Sequence, residues 1–576
     1  MPTNHEVLPG DGLPTPETVR PGDTIMLLPG THAQPLVVSG LRGTLNAPIT
    51  ITAALGAIVT GTMDEEQARL FLNAEATRRQ EGGYYPAPGH LGDLAALTIR
   101  NCQFVIVQSL ALFQCWPTAL YIDDSRFVAV RDCRIEGATI AIGINGLDTR
   151  FILIEGNDWL QDISPHHDLW NKIPWRAVHG AIADGSGPVE DTDQRHFDGD
   201  FLRCWDIAGD MTVRGNRVSD AFNGIHVFNR TDELAPGRNP TAELFNRRRR
   251  AAANILVEDN FFQRVRDNVI EPEDHAWNWV VRRNLMLDCY LPFSLELHRA
   301  GWITIYANQA LALHPPLFGI AGAARTEFAM FKTGGLQRNE GPINVLFNSF
   351  GFLPDQRYFR RGFYAKFGHY NNAVDYLGGT TRFFGSRGRD LGPGLALSAD
   401  NPLADELAVE EKRFTRRWDG TMEGSELLSE HARALLNLTI KMDGDMVHDD
   451  AFPGGGAKRH YVELGYRLGD ASLGQSPQFD VDPTNLPEHP EQIDLRPGNR
   501  QAIGSSVAVT IALHNGDAHT VPAGLDRGAY QSSQKGREAM NALDAAFGFI
   551  PDFSWTGRVE RRPLPPASDP NGELTV

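Results

Sequence analysis

Residues 255–299 contain four short phrases: Ile-Leu-Val-Glu-Asp-Asn (255–260), Val-Ile-Glu-Pro-Glu-Asp-His (269–275), Trp-Val-Val-Arg-Arg-Asn (279–284) and Phe-Ser-Leu-Glu-Leu-His-Arg (293–299). The second pair repeats the first after 24 residues. Each copy has an apolar strand ending in Asn. A second strand follows, with acids and a histidine on alternate positions, and alternate residues of a strand share a face.

Working outward, the pattern apolar-x-apolar-x-x-Asn recurs at Ile152–Asn157, Met211–Asn216, Ile255–Asn260, Trp279–Asn284, Ile303–Asn308 and Ile343–Asn348. Val128–Cys133 fits with Cys in the Asn place. The seven starts are separated by 24, 59, 44, 24, 24 and 40 residues. A unit of 24 with insertions of 35, 20 and 16 accounts for all of them. Self-similarity at a fixed period is the mark of a repeat architecture. Stacked coils set equivalent side chains about 4.8 Å apart. An Asn amide can then donate to one neighbour and accept from the other, as in other Asn ladders. The expected fold is all-β: a single-stranded right-handed parallel β-helix with inserted loops and a few capping helices. The hand follows from the rule for parallel crossovers.

The coil boundaries divide the chain as follows. Residues 1–20 form a lead-in. Residues 21–400 form the β-helix, with insertions near 163–203, 231–254 (read as a helix) and 323–342. Residues 401–437 form a helical insertion and 438–530 the last coils. Residues 531–576 form a capping helix and tail, because a bare terminal coil is an open sheet edge.

Composition narrows the function. A formal charge of −18 argues against a nucleic-acid binder. The sequence has no apolar run long enough to span a membrane. The five cysteines (102, 115, 133, 204, 289) have no metal-ligand spacing and read as buried free thiols. The opening residues carry no basic segment followed by an apolar one. The expectation is a cytoplasmic protein as written, or a secreted one if a leader is missing.

Alternation in the second strands gives the candidate site. If Phe293, Leu295 and Leu297 point inward, then Ser294, Glu296 and His298 point out. By the same rule Val269, Glu271, Glu273 and His275 point out from the coil before, and His226, Phe228 and Arg230 from the one before that. Counting from each coil's Asn, with one residue of slack, predicts two stacks: His226–Glu271–Glu296 and Phe228–Glu273–His298. Like charges on adjacent rungs raise at least one pKa, which proteins tolerate mostly at working sites. Glu271, Glu273, Glu296, His298 and His226 are therefore the catalytic candidates. Carboxylates held at different pKa values suit glycoside hydrolysis, one as acid and the other as nucleophile or base. Substrate contacts are expected from Arg230, His275, Arg299 and Lys332. The insertion at 163–203 adds Trp170, Trp175, Asp198 and Asp200, its aromatic rings as platforms for sugar faces. A self-packed loop with its own small core is the other reading of that insertion. The residues themselves require no metal or cofactor.

The stretch Val-Arg-Pro-Gly-Asp-Thr-Ile-Met-Leu-Leu-Pro-Gly-Thr-His (19–32), with Gly-Thr-Leu-Asn-Ala-Pro-Ile-Thr-Ile-Thr-Ala (43–53), resembles the opening coils of polysaccharide lyases and related right-handed β-helix proteins. Leu495–Gly504 and Asp526–Tyr530 resemble the closing phrase of many β-helix enzymes. Glu271-Pro-Glu273 is similar to a Glu-x-Glu pair in calcium-dependent lyases of the alginate lyase and chondroitinase B type. That resemblance implies a Ca²⁺ at Glu271 and Glu273 that neutralises a uronate, with a Lys and an Arg performing β-elimination. The chain departs at both basic places, with Ala276-Trp277-Asn278 at one and Glu296 and His298 at the other. Arg299 and Arg230 are the available substitutes. The galacturonan-hydrolase pattern (Asn-Thr-Asp, Asp-Asp, Gly-His-Gly) is absent. Three readings follow. The first is a glycoside hydrolase or transglycosylase acting on a poly- or oligosaccharide. The second is a uronate lyase or epimerase. The third is a non-catalytic glycan-binding or virion spike-like β-helix.

Overall fold

The computed structural model describes residues 2–80, 92–179, 194–228, 252–295, 297–314, 329–333, 338–339, 341–352, 357–360, 363–364, 367–376, 395–396, 440–449, 471–479, 481, 489–549 and 551–557. Three parallel sheets of fourteen, ten and twelve strands form the walls of a β-helix. Each complete coil contributes one strand to each wall. The coil that decided the fold does so with Ala253–Glu258, Phe261–Val265 and Asn268–Pro272. Its successor does so with Asp274–Arg282, Leu285–Leu287 and Leu291–Leu295.

The repeat spacing is the strand register. Val128 pairs with Ile152, Ile152 with Met211, Met211 with Ile255, Ile255 with Trp279, Trp279 with Ile303 and Ile303 with Ile343. Those positions, and the ones two further on, fill a continuous apolar core along the helix. All five cysteines are free and buried.

The Asn ladder is continuous through seven rungs. Asn157 Nδ2 donates to Asn216 Oδ1 (3.0 Å), Asn216 to Asn260 (2.9 Å), Asn260 to Asn284 (2.9 Å) and Asn284 to Asn308 (2.9 Å). It continues through Asn348 and Asn372 to Asp445. Each Oδ1 also takes a backbone N–H from the coil before, as Asn157 Oδ1 does from Cys133 (3.0 Å). The turn is thus built into the stack, where a mismatched residue would leave buried donors unpaired.

The periphery departs from expectation in three ways. The fourteen-stranded sheet already begins at Asn4–Val7, paired with Thr24–Leu27, inside the expected lead-in. A helix, Glu65–Gln80, interrupts the early coils where no helix was expected. The C-terminal helix, Gln534–Ala546, does not cap an end. Its buried Leu543, with Phe547 beyond it, packs on Leu256, Val280, Tyr306 and Leu346, outward residues of successive coils. Farther on, Phe553 and Trp555 cover Ile106, Ala129 and Leu153. The outward face of this sheet is apolar between its charged rungs, so burying it outweighs covering a coil end. Residues 231–251 and 401–437 lie outside the described residues.

Candidate active site on the ten-stranded sheet

Five strands of the ten-stranded sheet build the site, stacked in the order Asp200–Trp205, Asn223–Phe228, Asn268–Pro272, Leu291–Leu295 and Ala329–Thr333. Ile225, Val227, Ile270, Phe293 and Phe331 anchor them in the core. Alternation then turns Arg203, His226, Glu271, Ser294 and Lys332 to the other face. The pairings Arg203–His226, His226–Glu271 and Ser294–Lys332 put these residues in one row. The pairing of Ile270 with Phe293 places Ser294 beside Glu271. Val269, expected to face outward, packs in the core instead.

His226 is the centre of the row. Its Nε2 lies 3.1 Å from Glu273 Oε2. Its Nδ1 lies 3.4 Å from Asp200 Oδ1 and 3.7 Å from Glu271 Oε2. Glu271 Oε1 accepts from Asn268 Nδ2 (2.7 Å) and Ser294 Oγ (3.0 Å), with Lys332 Nζ at 4.0 Å. Asp200 is fully buried and paired with Arg203. The glutamates differ in access: the Glu273 side chain is 37% exposed and that of Glu271 4%.

This environment separates the two carboxyls. Burial raises Glu271 to about 7, against the opposing pull of His226. Burial would raise Glu273 as well, but the hydrogen bond and charge of His226, with Lys332 and Arg203 nearby, bring it down to about 2. Burial disfavours the His226 cation, yet Glu271, Asp200 and Glu273 together hold its pKa well above the ordinary value. Near neutral pH the row therefore contains an imidazolium, an ionised Glu273 and a Glu271 poised to exchange a proton.

The expected stack His226–Glu271–Glu296 is corrected at its third member. Ser294, not Glu296, is the neighbour of Glu271, and Glu296 lies outside the described residues. Counting from the ladder Asn gave Glu271 a rung partner two residues too far along, because the turns between strands differ in length. The strands after it also carry a register shift between Asp274 and His275. His275, His298 and Arg299 lie on strands of the fourteen-stranded sheet, Asp274–Arg282 and Leu297–Tyr306, so His298 is not the rung neighbour expected in the stack Phe228–Glu273–His298, and Arg230 is outside the described residues. Lys332, expected as a substrate contact, belongs to the row itself, and Asp200, expected likewise, pairs with Asn223 and reaches the row only through His226 and Arg203. Arg203, which sequence reasoning passed over, is the in-register neighbour of His226; its alternation with core residues Leu202 and Cys204 was the available signal.

The insertion at 163–203 differs from the aromatic rim expected of it. Trp170 is buried in the core of the helix, its indole N–H donating to His314 O (3.1 Å). Trp175 is half-buried against a small apolar cluster containing Trp116, Leu169 and Phe197. Neither ring offers an open sugar platform, because Trp170 is taken into the core of the helix and Trp175 packs on the small cluster of the loop. Asp198 sits half-buried at the end of a short 3-10 turn, Arg195–Phe197.

The donor atoms of His226, Glu271 and Glu273 lie within 4.8 Å of one another, close enough for one ion to bridge. Calcium, however, takes roughly six to eight oxygen ligands. Here an imidazole occupies the centre of the carboxylates and the Lys332 ammonium borders Glu271. The row supplies its own cations, and its donor set does not suit calcium.

No protein-family model matches the chain, and neither does any curated protein. Among solved structures, the chain is similar to a mannuronic-acid-specific family 6 polysaccharide lyase from human gut microbiota. The identity is 11%, over 81% of this chain and 91% of that one, with a TM-score of 0.35. It is also similar to a pectate lyase, at 11% identity over 92% and 96% of the two chains and a TM-score of 0.37. A third likeness is to the alginate lyase AlyGC, at 10% identity over 93% and 56% and a TM-score of 0.38. The fold rests on the strand pairing above, to which likenesses this distant add nothing.

Proposed function

We propose that the protein is a carbohydrate-active enzyme that cleaves glycosidic bonds by carboxylate acid–base chemistry at the His226–Glu271–Glu273 row. One observation carries this reading: a single imidazole bridges two glutamates, one driven up to about 7 and the other down to about 2. Titratable neighbours pushed apart in this way are how one site holds an acid and a base at once. Glu273 is the carboxylate that meets the substrate, as base or nucleophile. Glu271 is too enclosed to touch the sugar. It stores a proton and exchanges it through His226, and is a positioning and relay group. Glycan as the substrate class rests on the resemblance of the opening coils to polysaccharide lyases.

The test is a panel of neutral and uronic polysaccharides, read for new reducing ends and for unsaturated products. Saturated oligosaccharides, lost in Glu273→Gln and reduced in Glu271→Gln, support hydrolysis. Full activity in both variants ends this reading.

A second reading is favoured by the cations in the row. Arg203 and Lys332, with the His226 imidazolium between them, suit a uronate substrate and elimination. Unsaturated products in the same panel would select it, with Glu273 then the group that abstracts the proton.

A further inference from the structure

The helix Glu65–Gln80 and the insertion at 163–203 meet at a second cluster of titratable side chains. His196 Nε2 lies 3.0 Å from Glu65 Oε1, and His167 Nδ1 lies 3.3 Å from the same oxygen. One ligand atom from each of these residues falls within 4.8 Å of the others. We propose that Glu65, His167 and His196 form a binding site for a divalent transition-metal ion of the zinc class.

Donor chemistry gives the class of ion. Two imidazoles and a carboxylate suit zinc and its neighbours, whereas calcium and magnesium take oxygen. Around a tetrahedral ion with bonds of roughly 2.0–2.1 Å, ligand atoms stand roughly 3.3–3.4 Å apart. The observed 3.0 and 3.3 Å are close to that, so small side-chain shifts would admit the ion.

The plainer account is a Glu65–His196 hydrogen bond with a second histidine nearby. It leaves two features unexplained. Both rings converge on one oxygen, and His167 Nδ1 and His196 Nδ1 are buried without a hydrogen-bond partner among the described residues. Such orphaned nitrogens are costly unless something else satisfies them. An ion would take up His167 Nδ1 directly. It would not satisfy His196 Nδ1, and a ligand ring lacking that outer hydrogen bond binds its metal about 10–100-fold more weakly. A site of moderate affinity is the consequence.

The surroundings hold the ligands ready. The His196 ring is wedged between Phe197 and Trp116, at centroid distances of 4.1 and 5.5 Å. The Asp162 carboxylate accepts the N–H groups of Asp168 and Leu169, shaping the loop that presents His167. The His167 side chain is 31% exposed although its Nδ1 is buried, and three protein ligands leave a fourth tetrahedral position for water. Three protein ligands with an open position is the arrangement of an exchangeable or catalytic ion. The ion would also join segments 131 residues apart and fix the turn that leads into Asp200 and Arg203.

The experiment uses the full chain, freed of metal with a chelator and titrated with Zn²⁺ by calorimetry and with Co²⁺ by visible absorption. One ion per chain, with the strong bands of low-coordinate Co²⁺, is expected. His167→Ala and Glu65→Gln should each weaken binding at least about tenfold, while Glu273→Gln in the other cluster leaves it unchanged. Circular dichroism confirms that each variant is folded, which the half-exposed position of His167 favours. No saturable binding overturns the proposal. So does binding that survives both of the first variants, or binding that only Glu273→Gln abolishes.

Discussion

In the fourteen-stranded sheet, Arg131, Glu155, Arg214, Glu258 and Arg282 occupy one register row, so charge alternates from rung to rung. Arg214 Nε donates to Glu155 (2.7 Å) and Arg282 Nε to Glu258 (2.8 Å). Asp544, from the helix laid over this face, reaches both Arg282 and Arg283. In the ten-stranded sheet the row reads Arg203, His226, Glu271, Ser294, Lys332, with Glu273 beside it. Rung spacing is the same on both walls. On the first, every acid has a permanent cation in the next rung and a protein cover. On the second, three carboxylates share one titratable imidazole, and one of them faces water. Alternation makes a charge ladder inert, and replacing a guanidinium with a histidine makes it responsive to protons.

The largest expected break in this contrast is chemical. Glu273→Gln should lower kcat on the cleaved polysaccharide by about 10²–10⁴-fold, and near neutral pH it should also lower the melting temperature, because the ionised carboxylate paired with His226 is lost. Arg214→Gln, on the inert row, should leave kcat unchanged. Parallel rate and melting measurements on the two variants check both statements, and equal losses of activity would erase the distinction between the rows.

Next in size is the inert row's own dependence on pairing. Arg282→Met takes one cation from buried Glu258 and leaves Arg283 beside it, and removing one partner of a buried pair typically costs about 3–5 kcal/mol. The retained Arg283 contact places the expected loss near the lower end. Urea denaturation gives the value, and an unchanged midpoint would show that the ladder is ornamental. A smaller loss, about 1–3 kcal/mol, is expected for Asn284→Ala, which removes the oxygen that accepts both the Asn260 backbone N–H and one proton of its side-chain amide. The same titration reads it.

The finest distinction lies in pH. Folding raises Glu271 from 4.5 to about 7, so its neutral form is the stabilising one. Its contribution is complete below 4.5 and is lost as pH rises toward 7. Glu273 behaves in the opposite way. It falls from 4.5 to about 2, so its contribution is present above 4.5 and is lost as pH drops toward 2. Urea midpoints across pH should show Glu271→Gln flattening the upper window and Glu273→Gln the lower one. A shared window would mean that the two carboxyls are not separated.

The coil register was legible because Asn216, Asn260 and Asn284 each satisfy the same buried backbone group of a neighbouring coil. A constraint repeated in space leaves a repeat in sequence. The partners of His226 were legible only in part. Glu271 and Glu273 followed from alternation within one strand. Ser294 and Lys332 depended on turn lengths between strands, where a one-residue difference moves a side chain to the other face. The position of the C-terminal helix was not legible. Leu256 and Val280 look like ordinary strand residues, and nothing local says that a segment nearly 300 positions later will cover them.

Arg131 donates to the carbonyl of Thr556 across 425 residues of chain. At about 5–20 residues per second of synthesis, that partner emerges roughly 20–85 seconds after Arg131. For all of that interval Ile106, Ala129 and Leu153 of the early coils lack the cover that Phe553 and Trp555 give them. A parallel stack that grows from one end can assemble as it emerges, but its longest wall stays adhesive until translation is nearly complete. Yield in the cell should therefore depend on elongation speed and on holding factors more than on the stability of the finished fold.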